Sequence, residues 1–122
     1  MKLGSPNGSF VVEECVDENE TSAERPVAPL HLHRSEDEAW YVLEGALGFR
    51  IGDETSEVAA GFGIVAERGV PHTFWNATGG RTRYLIVMAP RTAALVEAIH
   101  AGGWDDIAAL FAQHDSDLLP GT

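Results

Sequence analysis

His31 and His33 are separated by a single residue, Leu32. On extended backbone, side chains two apart point to the same face, so these two imidazoles stand side by side. Glu38 follows five residues after His33, directly before the run Ala39-Trp40-Tyr41-Val42-Leu43. A turn over Ser35–Asp37 would return a carboxylate toward the imidazole pair, and Glu36, Asp37 and Glu38 all qualify by position alone. Far along the chain, His72 comes directly after the turn Gly69-Val70-Pro71 and opens a second aromatic stretch. Three imidazoles and one carboxylate form a borderline ligand set, compatible with Fe, Mn, Ni, Co, Zn or Cu. The chemistry this suggests is the holding of one divalent transition-metal ion. Positions left open on it would admit water, dioxygen or a bidentate substrate.

Ligands so distant in sequence need rigid elements to bring them together. Phe10–Val16 reads as a strand, and the acidic stretch Asp17–Pro26 as a loop with freedom to move. Val27–His33 is extended, with Pro29 at a strand edge or entry. Ala39–Leu43 is a dense run of β-formers. Leu47, Phe49 and Ile51 alternate with Gly48 and Arg50, the period-two signature of a strand. Thr55–Ala59, Ile64–Ala66, His72–Asn76 and Arg83–Met88 are further strands, separated by turns rich in Gly, Asp and Pro. Beyond Pro90, Leu95, Val96 and Ile99 predict a helix over Thr92–His100, and Ile107, Leu110 and Phe111 a second over Trp104–His114. His100 and His114 fall in these helices and are expected to face solvent. The expectation is one domain over residues 1–122, with a β core over about 10–90 and a helical tail over about 91–115.

The pattern His31-x-His33-x4-Glu38-x6-Gly45 resembles the first conserved motif of the cupins, and Gly61-x7-Gly69-x2-His72-x3-Asn76 resembles the second. The resemblance spans roughly Val27–Pro90. It implies an all-β fold, the double-stranded β-helix or jelly-roll barrel, carrying the short helical tail. It also selects Glu38 over Glu36 and Asp37, so the implied metal ligands are His31, His33, Glu38 and His72. Two positions depart from the family pattern: Arg25 stands where a glycine is common, and Glu67 where a proline is expected. Neither is a ligand, but Glu67 removes a stiffening residue from the entry to Gly69 and could place another carboxylate near the barrel rim.

In such a barrel Trp40 and Val42 share the face of Glu38, and Phe74 and Asn76 share the face of His72. With Leu47 and Phe49 they form the expected pocket, apolar and aromatic around one polar centre. Cupin resemblance points to a metal-dependent enzyme acting on a small apolar or aromatic enolic compound. The chemistry would be dioxygenase-like, or isomerisation or cyclisation with Glu38 as the catalytic proton acceptor. The alternative is a non-catalytic module that binds a small molecule or is merely stabilised by its metal.

Composition narrows the partners. With 19 Asp and Glu against eight Lys and Arg, the formal net charge is −11, which repels nucleic acids and anionic membranes. The longest apolar run, Tyr84–Ala89, is far short of the ~20 residues a spanning helix needs. Met1–Phe10 lacks the apolar centre of a signal peptide, so a cytoplasmic protein is expected. The single cysteine, Cys15, excludes an internal disulfide and is expected to be half-buried on its strand. The resemblance further implies a homodimer, with Phe10–Val16 either exchanged between copies or serving as an edge strand within one chain.

Overall fold

The computed structural model describes residues 2–120. Ten strands and two helices follow in the order β1 (Lys2–Gly4), β2 (Val11–Glu18), β3 (His31–His33), β4 (Glu38–Glu44), β5 (Ala46–Ile51), β6 (Glu54–Ala59), β7 (Gly63–Ala66), β8 (His72–Asn76), β9 (Arg81–Met88), α1 (Pro90–Ala101), α2 (Ile107–Gln113) and β10 (Ser116–Leu118). The strands form two antiparallel five-stranded sheets, ordered β1-β2-β9-β4-β7 and β10-β3-β8-β5-β6. This is the jelly-roll barrel with a C-terminal helical segment. Among the described residues, no helix is long and apolar enough to cross a membrane.

The period-two pattern of the sequence sets which side chains face inward. Along β4, Glu38, Trp40 and Val42 are buried, and Tyr41 between them is exposed. β8 turns His72, Phe74 and Asn76 inward, and its pairing with β5 places these beside Ile51, Phe49 and Leu47. The buried side chains therefore stack in layers along the barrel. Phe49 lies 5.0 Å from Trp40 and 5.6 Å from Phe74 between ring centroids, so aromatic packing fills the middle layer.

Gly45, the glycine of the first motif, joins β4 to β5 at φ +81°. A Cβ there would stand 2.5 Å from Thr82 Oγ1 and 2.7 Å from the Arg81 carbonyl, so both the backbone conformation and the close approach require glycine.

Three expectations need correction. Asp17–Pro26 is not free at its start: β2 runs on to Glu18, and Asp17 is buried. The Asp17 carboxylate accepts from Glu20 N–H at 2.7 Å, Thr21 Oγ1 at 2.6 Å and Asn76 Nδ2 at 3.2 Å, which ties the loop to β8. The second helix is shorter than Trp104–His114, because Asp106 caps it by accepting from Ala108 and Ala109 N–H. The tail also does not end in helix: β10 returns to pair with β3, setting Ser116 opposite His33 and Leu118 opposite His31. The strand expected over Phe10–Val16 forms as β2 over Val11–Glu18, which pairs with β9 along its whole length and with β1 on its other side, so it is not an edge strand.

Candidate metal centre

β3 has three residues, and both of its ends face inward as His31 and His33. A bend over residues 34–37 then reverses the chain, and its two acidic residues are held outside. Glu36 accepts from Arg91 Nε at 2.8 Å, and Asp37 accepts from the Arg68 backbone N–H and guanidinium. Glu38, the first residue of β4, is the carboxylate that enters the barrel, where it is 6% exposed. His72 opens β8 and pairs directly with His31 across the ladder. Glu67 is exposed and begins the turn closed by Val70 N–H on its carbonyl, so it adds no carboxylate to the centre.

One potential ligand atom from each of His31, His33, Glu38 and His72 lies within 4.8 Å of the others, and all four residues are buried. The three rings lie 4.5 to 5.3 Å apart between centroids. Glu38 Oε1 lies 3.0 Å from His33 Nε2 and 3.3 Å from His72 Nε2. Separations near 3 Å are those of adjacent donors around an ion bound at about 2.1 Å.

The outer hydrogen bonds fix which nitrogens face the centre. His31 Nδ1 donates to the Pro29 carbonyl at 2.7 Å, and His72 Nδ1 to the Val70 carbonyl at 3.0 Å. His33 Nδ1 meets Ser116 Oγ at 2.7 Å, while that hydroxyl donates its own proton to the His114 carbonyl at 3.1 Å. Ser116 therefore accepts from His33, and each of the three Nδ1 atoms carries a proton. Each neutral ring then presents an Nε2 lone pair inward, and those of His33 and His72 face the Glu38 carboxylate. Lone pairs facing a carboxylate repel unless a cation, proton or metal, lies between them. This orientation of ring nitrogens by outer-shell acceptors is the arrangement expected around a metal ion.

Burial and charge support this reading. Burial, with the neighbouring His72 adding to it, pushes the His31 imidazole from its ordinary 6.5 down to about 4, so it is neutral near pH 7. Burial alone would raise the Glu38 carboxyl, but the His33 and His72 rings outweigh that whenever a proton sits between Nε2 and the carboxylate, and hold it at about 2. Glu38 is thus ionised throughout the ordinary pH range. The donor set fits a divalent transition ion.

A cavity of about 170 Å³ adjoins the centre. It lies on the side of β2, β9, β3 and β8 and is covered by α1 and α2. Trp40 and Phe74, both expected in the pocket, line it. Val42, Leu47, Phe49 and Asn76 do not. The first three are wholly buried on the side of β4 and β5, where Phe49 packs beneath Trp40 and Phe74. Asn76 spends its amide on the Gly80 carbonyl, Asp17, Thr78 and Thr82.

The lining that sequence reading missed comes from β9 and the tail: Tyr84, Ile86, Met88, Leu95, Ile99 and Phe111. Phe111 sets its edge 5.4 Å from the His31 ring. His100 is exposed, as expected, at the border of the cavity, whereas His114 is half-buried with Nδ1 on the Leu110 carbonyl at 2.8 Å. The helical spacing of Leu95, Ile99 and Phe111 was visible in the sequence; where those faces dock was not. Cys15 is half-buried beside Tyr84 on the cavity wall, and burial pushes its thiol up to about 11, which leaves it protonated and a poor nucleophile. Trp40 Nε1 is buried without a hydrogen-bond partner among the described residues, an omission that costs about 1–3 kcal/mol.

Solved structures share this fold. A cupin protein from Bacteroides fragilis superposes with TM-score 0.57 at 17% identity, covering 67% of this chain and 66% of that one. A sugar phosphate isomerase of the cupin superfamily from Silicibacter pomeroyi gives TM-score 0.57 at 24% identity, covering 67% and 51%. The polyketide cyclase RemF from Streptomyces resistomycificus gives TM-score 0.53 at 33% identity, covering 67% and 55%. The chain thus spans about half to two thirds of the length of these structures. No curated protein matches it at a significant level. The family model described as the cupin domain matches residues 20–88, a stretch that takes in all four inward-facing ligand residues and more than half of the chain, and on that match the protein belongs to the cupin family.

Proposed function

We propose that this cupin is a metal-dependent enzyme acting on a small, largely apolar enolic or aromatic compound. The observation that carries this reading is the junction of an apolar cavity with a buried, oriented set of three imidazoles and one carboxylate. A divalent ion held by His31, His33, Glu38 and His72 would supply Lewis acidity to two oxygens of a chelating substrate.

The chain's own groups supply the rest. His31 and His72 are fixed by backbone carbonyls and His33 by Ser116, so the substrate meets a rigid rather than an adaptable centre. Glu38 is ionised at working pH, so it can accept a proton but not give one; held at about 2 it is a weak base, and the bound metal would have to acidify the substrate C–H or O–H first. Trp40, Phe74 and Met88 exclude water and present flat, apolar surface to a ring.

The similar structures suggest two substrate types, a sugar phosphate and a polyketide. The cavity favours the second type of chemistry. Among the described residues no Lys or Arg lines it, so a phosphate would enter without a counter-charge from them.

The test is turnover of a panel of catecholic and enolic compounds by protein loaded separately with Fe, Ni, Mn or Zn. Oxygen uptake in step with turnover identifies a dioxygenase-like reaction; turnover without it identifies isomerisation or cyclisation. His31→Ala and His72→Ala should abolish either while retaining the far-ultraviolet spectrum of the fold. Absence of turnover with every metal would leave a binding module instead.

A further inference from the structure

The two sheets have unlike outer faces. Residues directly opposite each other in an antiparallel ladder point to the same side, so the pairing fixes the rows that cross the outside of β1-β2-β9-β4-β7. One row reads Leu3, Val12, Val87, Ala39 and Val65, an apolar side chain from every strand of the sheet. The next sets Leu85 and Tyr41 between Glu14 and Gly63. On this face Leu3, Val16, Tyr41 and Val65 are 43 to 55% exposed. The outside of the other sheet is mixed: Asp117 stands beside Leu32, Thr73 and Thr55 beside Arg50, and Glu57 in line with Trp75. Monomeric proteins in water rarely leave an apolar area of several hundred Å² uncovered, and such a patch marks an interaction surface.

Charge and size select what covers it. Each chain carries a formal −11, so two copies repel one another except where their surfaces are close to neutral. This face is such a surface. Arg81 and Arg83 stand against Glu14, Glu18 and Glu44, which leaves a net −1. These groups pair within the face, with Arg83 Nη1 2.9 Å from Glu14 Oε2, and they gather at one end, beyond the apolar rows. An apolar centre with a polar rim is the anatomy of a protein interface. Five strands about 4.8 Å apart, with up to eight residues of about 3.4 Å each, make a face of roughly 500 Å² in projection. The relief of its side chains brings the accessible area toward the ~800 Å² that each partner buries in a stable interface.

We propose that a second copy of this chain seats on this face, giving a two-fold dimer by sheet-on-sheet packing in which the apolar rows of one copy cover those of the other. β2 is held between β1 and β9, so the copies meet through a face and not by exchange of Phe10–Val16. Pairing leaves the cavity open, because Glu38, Trp40, Ile86 and Met88 point to the opposite side of the same sheet. The proposal is independent of the metal reading.

Sedimentation velocity of the full chain over a dilution series should show a species of twice the 13.1 kDa chain mass that dissociates on dilution. Tyr41→Asp and Val65→Asp each place a charge in the apolar rows, twice per dimer, and should weaken association at least about thirtyfold, the scale of an interface hot spot. Thr55→Asp adds the same charge outside the other sheet and should leave association much as it was. All three positions are exposed, so the fold should survive, and a thermal melt checks that it does. Hydroxyl-radical footprinting of the unsubstituted protein needs no variant: Tyr41 should be protected when concentrated and oxidised on dilution, with Trp104 oxidised throughout. A chain that is monomeric at every concentration overturns the proposal. So does a dimer that Tyr41→Asp and Val65→Asp leave intact, or one in which Tyr41 is oxidised as fast as in the monomer.

Discussion

The Nδ1 proton of each imidazole in the centre has a fixed recipient, and one of the three is a side chain that can be removed. Ser116 is fully buried and accepts from His33 at 2.7 Å. Ser116→Ala leaves that proton without a partner and frees the ring to rotate or change tautomer. Metal affinity should fall about 10–100-fold, the usual cost of losing an outer-shell acceptor, and stability by about 1–3 kcal/mol. Calorimetric zinc titration and a thermal melt read the two effects; unchanged affinity would show that His33 is oriented by its strand alone. The imidazole pair His31 and His33 was legible from strand alternation alone, whereas Glu38 was singled out from Glu36 and Asp37 only by the resemblance to the cupin motif. Ser116 was not legible, since it lies 83 residues from His33 in sequence and belongs to no motif. The pocket positions Val42, Leu47 and Phe49 were legible as inward-facing, but alternation tells a face, not whether that face meets space or packed neighbours.

The element that sequence reading understated is the C-terminal segment. Its helices were visible from apolar spacing, and the cap at Asp106 explains why α2 starts only at Ile107. β10 was not visible, because Ser-Asp-Leu has no strand pattern of its own and exists only by pairing with β3. Together α1, α2 and β10 form a cover whose inner face carries Leu95 and Phe111, at 2% and 1% exposure. Phe111 touches both the cavity and the His31 ring. Phe111→Ala should therefore cost about 3–5 kcal/mol, as core phenylalanine truncations do, and admit water to the metal side of the cavity. Urea denaturation measures the first effect. Faster exchange of the His31 ring proton at Nδ1, followed by NMR, measures the second. A large loss of stability with that proton still protected would mean that the helices brace the barrel without sealing it.

At the scale of the whole molecule, binding of a metal at the candidate centre would be coupled to folding. The four candidate ligands come from β3, β4 and β8, in both sheets, so the unfolded chain cannot hold them together. Zinc at a hundredfold excess over its dissociation constant should add about 2.7 kcal/mol, roughly 10 °C in Tm for a chain this size, and a chelator should remove it. Acid works on the same groups. His31 has its folded pKa lowered from 6.5 to about 4, so the folded state prefers the neutral ring. Its contribution is complete above pH 6.5 and is lost as pH falls from 6.5 to 4, because only the unfolded chain takes up the proton readily. Glu38 is lowered from 4.5 to about 2, so its contribution is present above pH 4.5 and disappears between 4.5 and 2. The metal-free protein should therefore hold its Tm above about pH 7 and lose it in two consecutive acid steps. The zinc-loaded curve should start higher and converge on the metal-free one by about pH 4, since protons and metal compete for the same nitrogens. Melts at half-unit pH intervals, with zinc and with chelator, read both curves. A gap that stays constant down to pH 4 would exclude imidazole ligation and move the metal, if one binds, away from this centre.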